Sequence, residues 1–372
     1  MTSLEELRES VDIHWLSNIN EIEKLQERWR YLELTTKNRT TFSCYDWVIC
    51  WYRHYGKIYG RPLLGVAEIA NKVVGIAPLV ARKGTLGKIP IVSADFVGFN
   101  SESGEFLVAD GMEELVTLFL ELLFDVPKVD VIILNGFEED SKEFTFVKKI
   151  IDAKCFAHEL IFDRYAMVDL RNGYPAYLSS LKSKIRNSYK RHKKKITKAG
   201  QWDIEQINGN VDDNTVLRGV ERIFSIYNRS WKAKENGELG EPHRSFYKDV
   251  ALKFARRGMV DLCFLKLHGE DIAFVFCLVE RNCYYDVKVS YDEDYAYLSP
   301  GIFLMHELIK KLPDAVINTV ISHGDREYKK NWVTTFITRY RVFIFNKNIK
   351  GKLSHNIKFK LPKLVARLRR RF

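Results

Sequence analysis

DLCFLKLHGEDIAFVFCLV, residues 261–279, repeats the layout of PLLGVAEIANKVVGIAPLV, residues 62–80. Each stretch has two runs of apolar and β-branched residues joined by a short polar turn, the pattern of an antiparallel hairpin. Each carries an Ile-Ala pair after its turn, Ile76-Ala77 in the first and Ile272-Ala273 in the second. Outward from each hairpin the same order follows: a strand, a helix (112–126 or 301–312) and another strand (129–135 or 316–322). Agreement in order across four elements predicts a duplicated α/β unit in this chain of 372 residues.

The composition suits two packed lobes. It is 46% hydrophobic and 13% aromatic, as in globular proteins. The longest apolar run, LVTLFLELLF (115–124), is interrupted by Glu121 and falls short of the ~20 residues that span a bilayer. The opening MTSLEELRES is acidic and polar, unlike a secretory signal, so a cytoplasmic protein is expected. Six cysteines (44, 50, 155, 263, 277, 283) form no CxxC pair, which predicts packed thiols and neither a disulfide frame nor a metal site.

The net charge of +11 is concentrated in two places. From Tyr328 to the end there are 14 Lys/Arg and no Asp or Glu, so positions 1–327 carry −3. A second block, Lys182 to Lys198, holds nine Lys/Arg and no acid. Global basicity is therefore no argument for DNA binding. The second block lies on an amphipathic helix predicted over 176–199 and closed by Gly200. Its apolar stripe is Leu178, Leu181, Ile185, Tyr189, His192, Ile196 and Ala199. Lys182, Arg186, Lys190, Lys194 and Lys198 form one row at i, i+4, either a solvated face or an anion site.

The helix at 301–312 starts on a Ser-Pro-Gly step, with Ser299 suited to the N-cap and Pro300 to the first helical position. Gly301 costs a helix roughly 1 kcal/mol against alanine. Either a close helix–strand contact or an anion at the helix N-terminus would account for it. No GxGxxG, Walker loop, HExxH or GxSxG occurs, which removes several large enzyme classes.

Six stretches stand in the order of one family: FSCYDWVICWYRHYG, VVGIAPLV, YLSSLKSKIRNSYKRHKKKITKAG, LHGEDIAFVF, LSPGIFLMHELI and ISHGDREYKKNW. Across roughly residues 40 to 335 the chain resembles the GNAT acyltransferase superfamily. Within it the chain is similar to the duplicated branch of cellulose-biosynthesis-associated acetyltransferase-like proteins and, more remotely, of Fem-type aminoacyltransferases. The resemblance implies an α/β fold of two tandem GNAT-like lobes, each a mixed, mostly antiparallel sheet flanked by helices. The expected boundaries are 1–165, 166–345 and a basic tail, 346–372. It also implies that the second lobe alone binds acetyl-CoA, without a metal, because the first lobe's counterpart, NSESGEFLVADG (100–111), is acidic. Cofactor contacts are then expected from Ser299, Gly301, Ile302, Val289 and Lys329. The family's usual loop has two glycines with an Arg or Gln; here only Gly301 is present and Pro300 supplies no N–H.

Acyl transfer to an amine needs a neutral amine, a donor for the thioester oxygen and a proton for the leaving thiolate. By the resemblance Tyr328 occupies the place of the tyrosine that protonates the CoA sulfur; packing between helix and sheet is the other reading. His323, Asp325 and Asp286 are each candidates for the base, as is a water relay, and Asp325 also suits a helix N-cap. Residues 227–247 read as a loop, either a surface excursion between helices or one that offers Arg229, Trp231 and His243 to an acceptor, with Arg186 and Lys190 as further acceptor contacts.

These expectations describe an acetyl-CoA-dependent N-acyltransferase acting on a small-molecule amino sugar, nucleotide-linked or part of an envelope polysaccharide precursor. A Fem-type aminoacyltransferase using aminoacyl-tRNA is the second reading. The third is a non-enzymatic nucleic-acid or membrane-surface module using 328–372, with peripheral contact to the inner membrane face through FKLPKLVARLRRRF.

Overall fold

Both hairpins of the repeat turn through two residues in left-handed conformation. Ala70 and Asn71 have φ of 47° and 62°, and His268 and Gly269 have 53° and 84°. Two successive positive φ values give the turn whose twist matches its strands, which fixes the register at Ile69↔Lys72 and Leu267↔Glu270. This computed structural model describes residues 4–37, 39–86, 88–98, 104–126, 129–153 and 156–362.

Two compact units result: 1–163 with 338–362 among the described residues, and Arg164–Ile337. In the first, the strands are β1 (Asp12–Leu16), β2 (Arg61–Ile69), β3 (Lys72–Leu86), β4 (Ile89–Phe96), the short β5 (Leu107–Val108) and β6 (Val131–Glu138). β1 to β4 are antiparallel neighbours, and β6 joins β4 in parallel after the helix Leu115–Leu122. The chain enters the second unit within β7 (Ala157–Asp169). There β8 (Trp202–Asn208), β9 (Val260–Leu267), β10 (Glu270–Glu280) and β11 (Cys283–Tyr291) are antiparallel neighbours. After the helix Pro300–Lys311, β12 (Thr319–Ser322) returns parallel to β11. The order predicted from the repeat is thus present twice, as two α/β lobes.

The sixth strand of each sheet departs from the expected boundaries. β7 follows β6 in the chain yet pairs antiparallel with β12 of the second unit, Ala166 to Asp169 against Ser322 to Thr319. β13 (Thr335–Phe345) follows β12 yet pairs with β6 of the first, through Arg339↔Glu138 to Phe345↔Val131. Residues 338–345, expected in the second lobe, therefore belong to the first, as does the helix Ile349–His355 that was expected in a separate tail. Residues 363–372, the end of that tail, lie outside the described residues.

The helix predicted over 176–199 is two helices, Gly173–Ser180 and Ser183–Ala199, separated by extended backbone at Leu181 and Lys182. Arg186 stabilises the break by donating to the carbonyl oxygens of Leu181 and Ser179. Gly200 closes the second helix with φ of 153°, where a Cβ would lie 2.0 Å from the His268 ring. The segment 227–247 is likewise mostly helical, as Trp231–Asn236 and the start of His243–Ala255.

The second unit's core includes Trp332, Phe303, Leu304, Cys263 and Val320, all fully buried. Replacing a tryptophan packed like Trp332 by alanine costs about 3–5 kcal/mol, so the turn before it is firmly anchored. Cys44, Cys50, Cys263, Cys277 and Cys283 are in no disulfide, and Cys155 lies outside the described residues. Among the described residues no helix is long and apolar enough to cross a membrane.

Candidate functional site

β11 and β12 stay in register from Cys283↔Thr319 to Asp286↔Ser322, where β12 ends. β11 runs on for five residues to Tyr291, still paired with β10, and Val287 is the extra residue of a bulge in that pairing. The parallel pair therefore opens into a wedge beyond Asp286. Ser322 Oγ donates to Asp286 Oδ2 at 2.5 Å at the apex, and both residues are buried.

A cavity of about 330 Å³ fills the wedge. Val289, Ser290 and Tyr291 line it from β11; Ser299, Gly301, Ile302 and Met305 from the following helix and its start; Trp231, Lys232, Ala296 and Tyr328 complete the wall. Six residues expected from the sequence meet here: Val289, Ser299, Gly301, Ile302, Trp231 and Tyr328. Lys232, Ser290 and Tyr291 were missed. The one available signal for Lys232 was its place beside Trp231.

The helix start differs from the expected cap. Ser299 occupies the N-cap position but is left-handed, with φ of 56° and ψ of 50°, and its hydroxyl makes no capping hydrogen bond. Such backbone costs a non-glycine residue of order 1–3 kcal/mol and occurs at functional sites. The first intrahelical bond runs from Phe303 N–H to Ser299 O, leaving the Gly301 and Ile302 amides ahead of the ladder at the cavity wall. A Cβ on Gly301 would approach the Tyr291 ring to 3.3 Å, so glycine also lets helix and strand close together. Of the two explanations of Gly301, the close helix–strand contact is present.

Tyr328 lies in the 3-10 turn Glu327–Asn331. His306 Nε2 donates to the Asn331 carbonyl at 3.0 Å, and Tyr177 donates to the Trp332 carbonyl at 2.7 Å, which ties the turn to two helices. Burial, with the nearby Asp286 carboxylate adding, raises the Tyr328 phenol above its ordinary value and keeps it protonated. The Lys232 ammonium donates to the Val289 carbonyl. Burial lowers its pKa; Asp286 opposes that shift and Arg326 adds to it.

The other expected residues lie elsewhere. Asp325 is exposed, accepts from Arg164 at 3.3 Å, and is not the cap of the Tyr328 turn, whose N-cap is Arg326. His323 is half-buried, 6.4 Å from the Tyr165 ring. Its carbonyl takes the ammonium of buried Lys329, which thereby staples this turn and does not line the cavity. Arg229 ends the helix Asp213–Asn228 and pairs with Asp292 at 2.6 Å. His243 begins a helix, and Arg186 is occupied with the helix break. Lys190 is exposed on the basic helix, whose Lys195 reaches the Tyr297 carbonyl at 3.3 Å, beside the start of the cavity helix.

Residues 99–103, which include Glu102 of the first lobe's counterpart, lie outside the described residues, whereas its Glu105 and Asp110 are described. The described part borders a separate cavity of about 400 Å³ whose lining includes Glu105, Asp110, Glu113, Glu138 and Glu143 together with Arg39 and Lys142. Burial and the facing Glu105 and Glu138 push the Glu143 carboxyl well above its ordinary value.

Residues 183–330, which hold the second unit's cavity, match the acetyltransferase (GNAT) domain family. No curated protein matches the sequence. Among solved structures, FemX superposes with a TM-score of 0.59 at 11% identity, covering 92% of this chain and all of that one. A conserved protein of unknown function from Bacteroides thetaiotaomicron VPI-5482 gives 0.55 at 12%, covering 90% and 100%. The C-terminal domain (DUF2156) of a putative lysylphosphatidylglycerol synthetase from Agrobacterium fabrum gives 0.53 at 12%, covering 89% and 94%. At such identities the likeness is one of fold. Residues 183–330 thus match a GNAT acetyltransferase domain, within a chain whose fold is two α/β lobes of the same strand order.

Proposed function

We propose that the second unit transfers an acetyl group from acetyl-CoA to the amine of an amino sugar. The observation that carries this reading is the wedge beyond Asp286, with its cavity at a helix N-terminus. The residues fit the co-substrate. Ser290 Oγ, on the cavity wall in a residue only 2% exposed, has no hydrogen-bond partner among the described residues. A buried hydroxyl left unpaired costs about 1–3 kcal/mol, which a ligand group would recover. Gly301 and Ile302 offer two amides to a pyrophosphate, and Pro300 offers none.

When bound, acetyl-CoA supplies an acetyl group activated as a thioester. Tyr328, held protonated, delivers its proton where the thiolate leaves. The proton lost by the amine goes to Asp286, His323 or water, which pH profiles of Asp286→Asn and His323→Gln separate. The acceptor class, nucleotide-linked or an envelope polysaccharide precursor, rests on the family resemblance.

The test is thiol release from acetyl-CoA with a panel of nucleotide-linked amino sugars against the same sugars lacking the amine. Release that requires the amine supports the reading. Release independent of it, or none with any acceptor, contradicts it. The second reading, transfer from aminoacyl-tRNA, is favoured by exposed Lys190, Lys194 and Lys198 along one helix, a row suited to phosphates. Transfer from aminoacyl-tRNA in place of acetyl-CoA would establish it.

A further inference from the structure

We propose that the helix Ile349–His355, continued by the π-helical turn Asn356–Lys360, is a docking face for an anionic phospholipid surface. Its inner side is fixed to the first unit. Gly351, Ser354 and His355 are buried, His355 Nε2 lies 2.8 Å from His158 Nε2, and Phe359 stacks on the His158 ring at 4.2 Å. Gly351 permits this approach, since a Cβ there would sit 2.1 Å from the Asn346 carbonyl oxygen. Asn348 caps the helix by accepting from the Gly351 N–H at 2.8 Å.

The outer side is the anomaly. Ile349 is 86% exposed, Leu353 50% and Leu361 51%. Ile349 and Leu353 are four residues apart and share the helix face opposite Gly351, Ser354 and His355, where a solvated helix carries polar residues. Lys347, Lys352 and Lys360 are exposed beside them, as is Lys350, which pairs with Asp130 at 2.7 Å. No Asp or Glu occurs from Tyr328 to the end of the chain, so the pairing of Lys350 draws on Asp130 from the body of the unit. An apolar stripe bordered by lysines is complementary to acyl chains beneath anionic headgroups, and a surface this small needs both attractions to bind. A basic protein groove for nucleic acid would not need the exposed isoleucine and leucines.

The experiment is co-sedimentation of the full-length chain with vesicles of phosphatidylcholine, with and without phosphatidylglycerol. We expect binding only to the anionic vesicles, weakening as salt rises. Ile349→Gln with Leu353→Gln should lower the partition by about tenfold or more while the thermal midpoint stays put. Lys347→Gln with Lys352→Gln and Lys360→Gln should do the same. Vesicle binding unchanged in the Ile349/Leu353 variant would overturn the proposal by moving the contact off this face. So would binding to an oligonucleotide that outcompetes the vesicles. Self-association abolished by the Ile349/Leu353 variant, with no vesicle binding in the parent chain, would assign the face to a second copy instead.

Discussion

Asp286 accepts a 2.5 Å hydrogen bond from Ser322, and these two residues are the last pair at which β11 and β12 remain in register. The bond closes the apex of the wedge and fixes a buried carboxylate near Tyr328 and Lys232. Asp286→Asn keeps an acceptor for Ser322 but removes the negative charge. That charge opposes ionisation of the Tyr328 phenol, so the variant's phenol should ionise more easily. The basic limb of the pH–rate profile should then move to lower pH in a protein that remains folded. An unmoved profile with normal turnover would separate Asp286 from the chemistry.

Tyr328→Phe deletes the proton donor and keeps the ring. Turnover should fall by ~10²–10⁴-fold, the usual range for a general acid. Acetyl-CoA affinity should hardly change, because the hydroxyl matters only as charge builds on sulfur. Reduced stability with near-normal turnover would make Tyr328 a packing residue.

His306 sets a pH dependence of stability. It is 1% exposed and burial pushes its pKa down to about 4. Between an unfolded value near 6.5 and about 4, the unfolded chain binds a proton that the folded one refuses, so stability falls as pH falls through that window. The loss should approach roughly 3 kcal/mol. His306→Gln keeps a donor for the Asn331 carbonyl and should flatten the denaturation midpoint across the window. An equal slope in parent and variant would assign the effect to other groups.

Arg186 separates structure from recognition. Its guanidinium caps the carbonyl oxygens of Leu181 and Ser179. Arg186→Ala should therefore lower stability by about 1 kcal/mol and leave the acceptor KM unchanged. A raised KM at constant stability would return Arg186 to the acceptor site.

The break that Arg186 caps also shows what the sequence could not reveal. Leu-Lys-Ser is compatible with a continuous helix, and nothing in its residue types announces that Arg186 folds back on the carbonyl oxygens five and seven residues before it. The hairpins were legible because their alternation is local and their turns carry Asn71 and Gly269. The gathering of Ser299, Gly301 and Tyr328 was expected from the family resemblance, which assigned their places by element order. Lys232 escaped because a six-residue helix flanked by Ser230 and Gly237 reads as a loop. The pairing of β13 with β6 is equally invisible, since a strand's own residues do not name its neighbour. Ser299 followed the rule for N-caps by residue type, yet its backbone is left-handed and its hydroxyl makes no capping hydrogen bond.

The central claim is that acetyl-CoA binds at the start of the helix Pro300–Lys311. Gly301→Val tests it most directly, because even a Cβ there would press on Tyr291 at 3.3 Å and a branched side chain would cover the two leading amides. Titration calorimetry of acetyl-CoA into the parent and the variant, each with its unfolding transition recorded, reads the outcome. Binding by the parent and a loss of at least about tenfold in the folded variant, about 1.4 kcal/mol, is the predicted result. Unchanged affinity in a folded Gly301→Val protein, or no binding by the parent, would contradict the account.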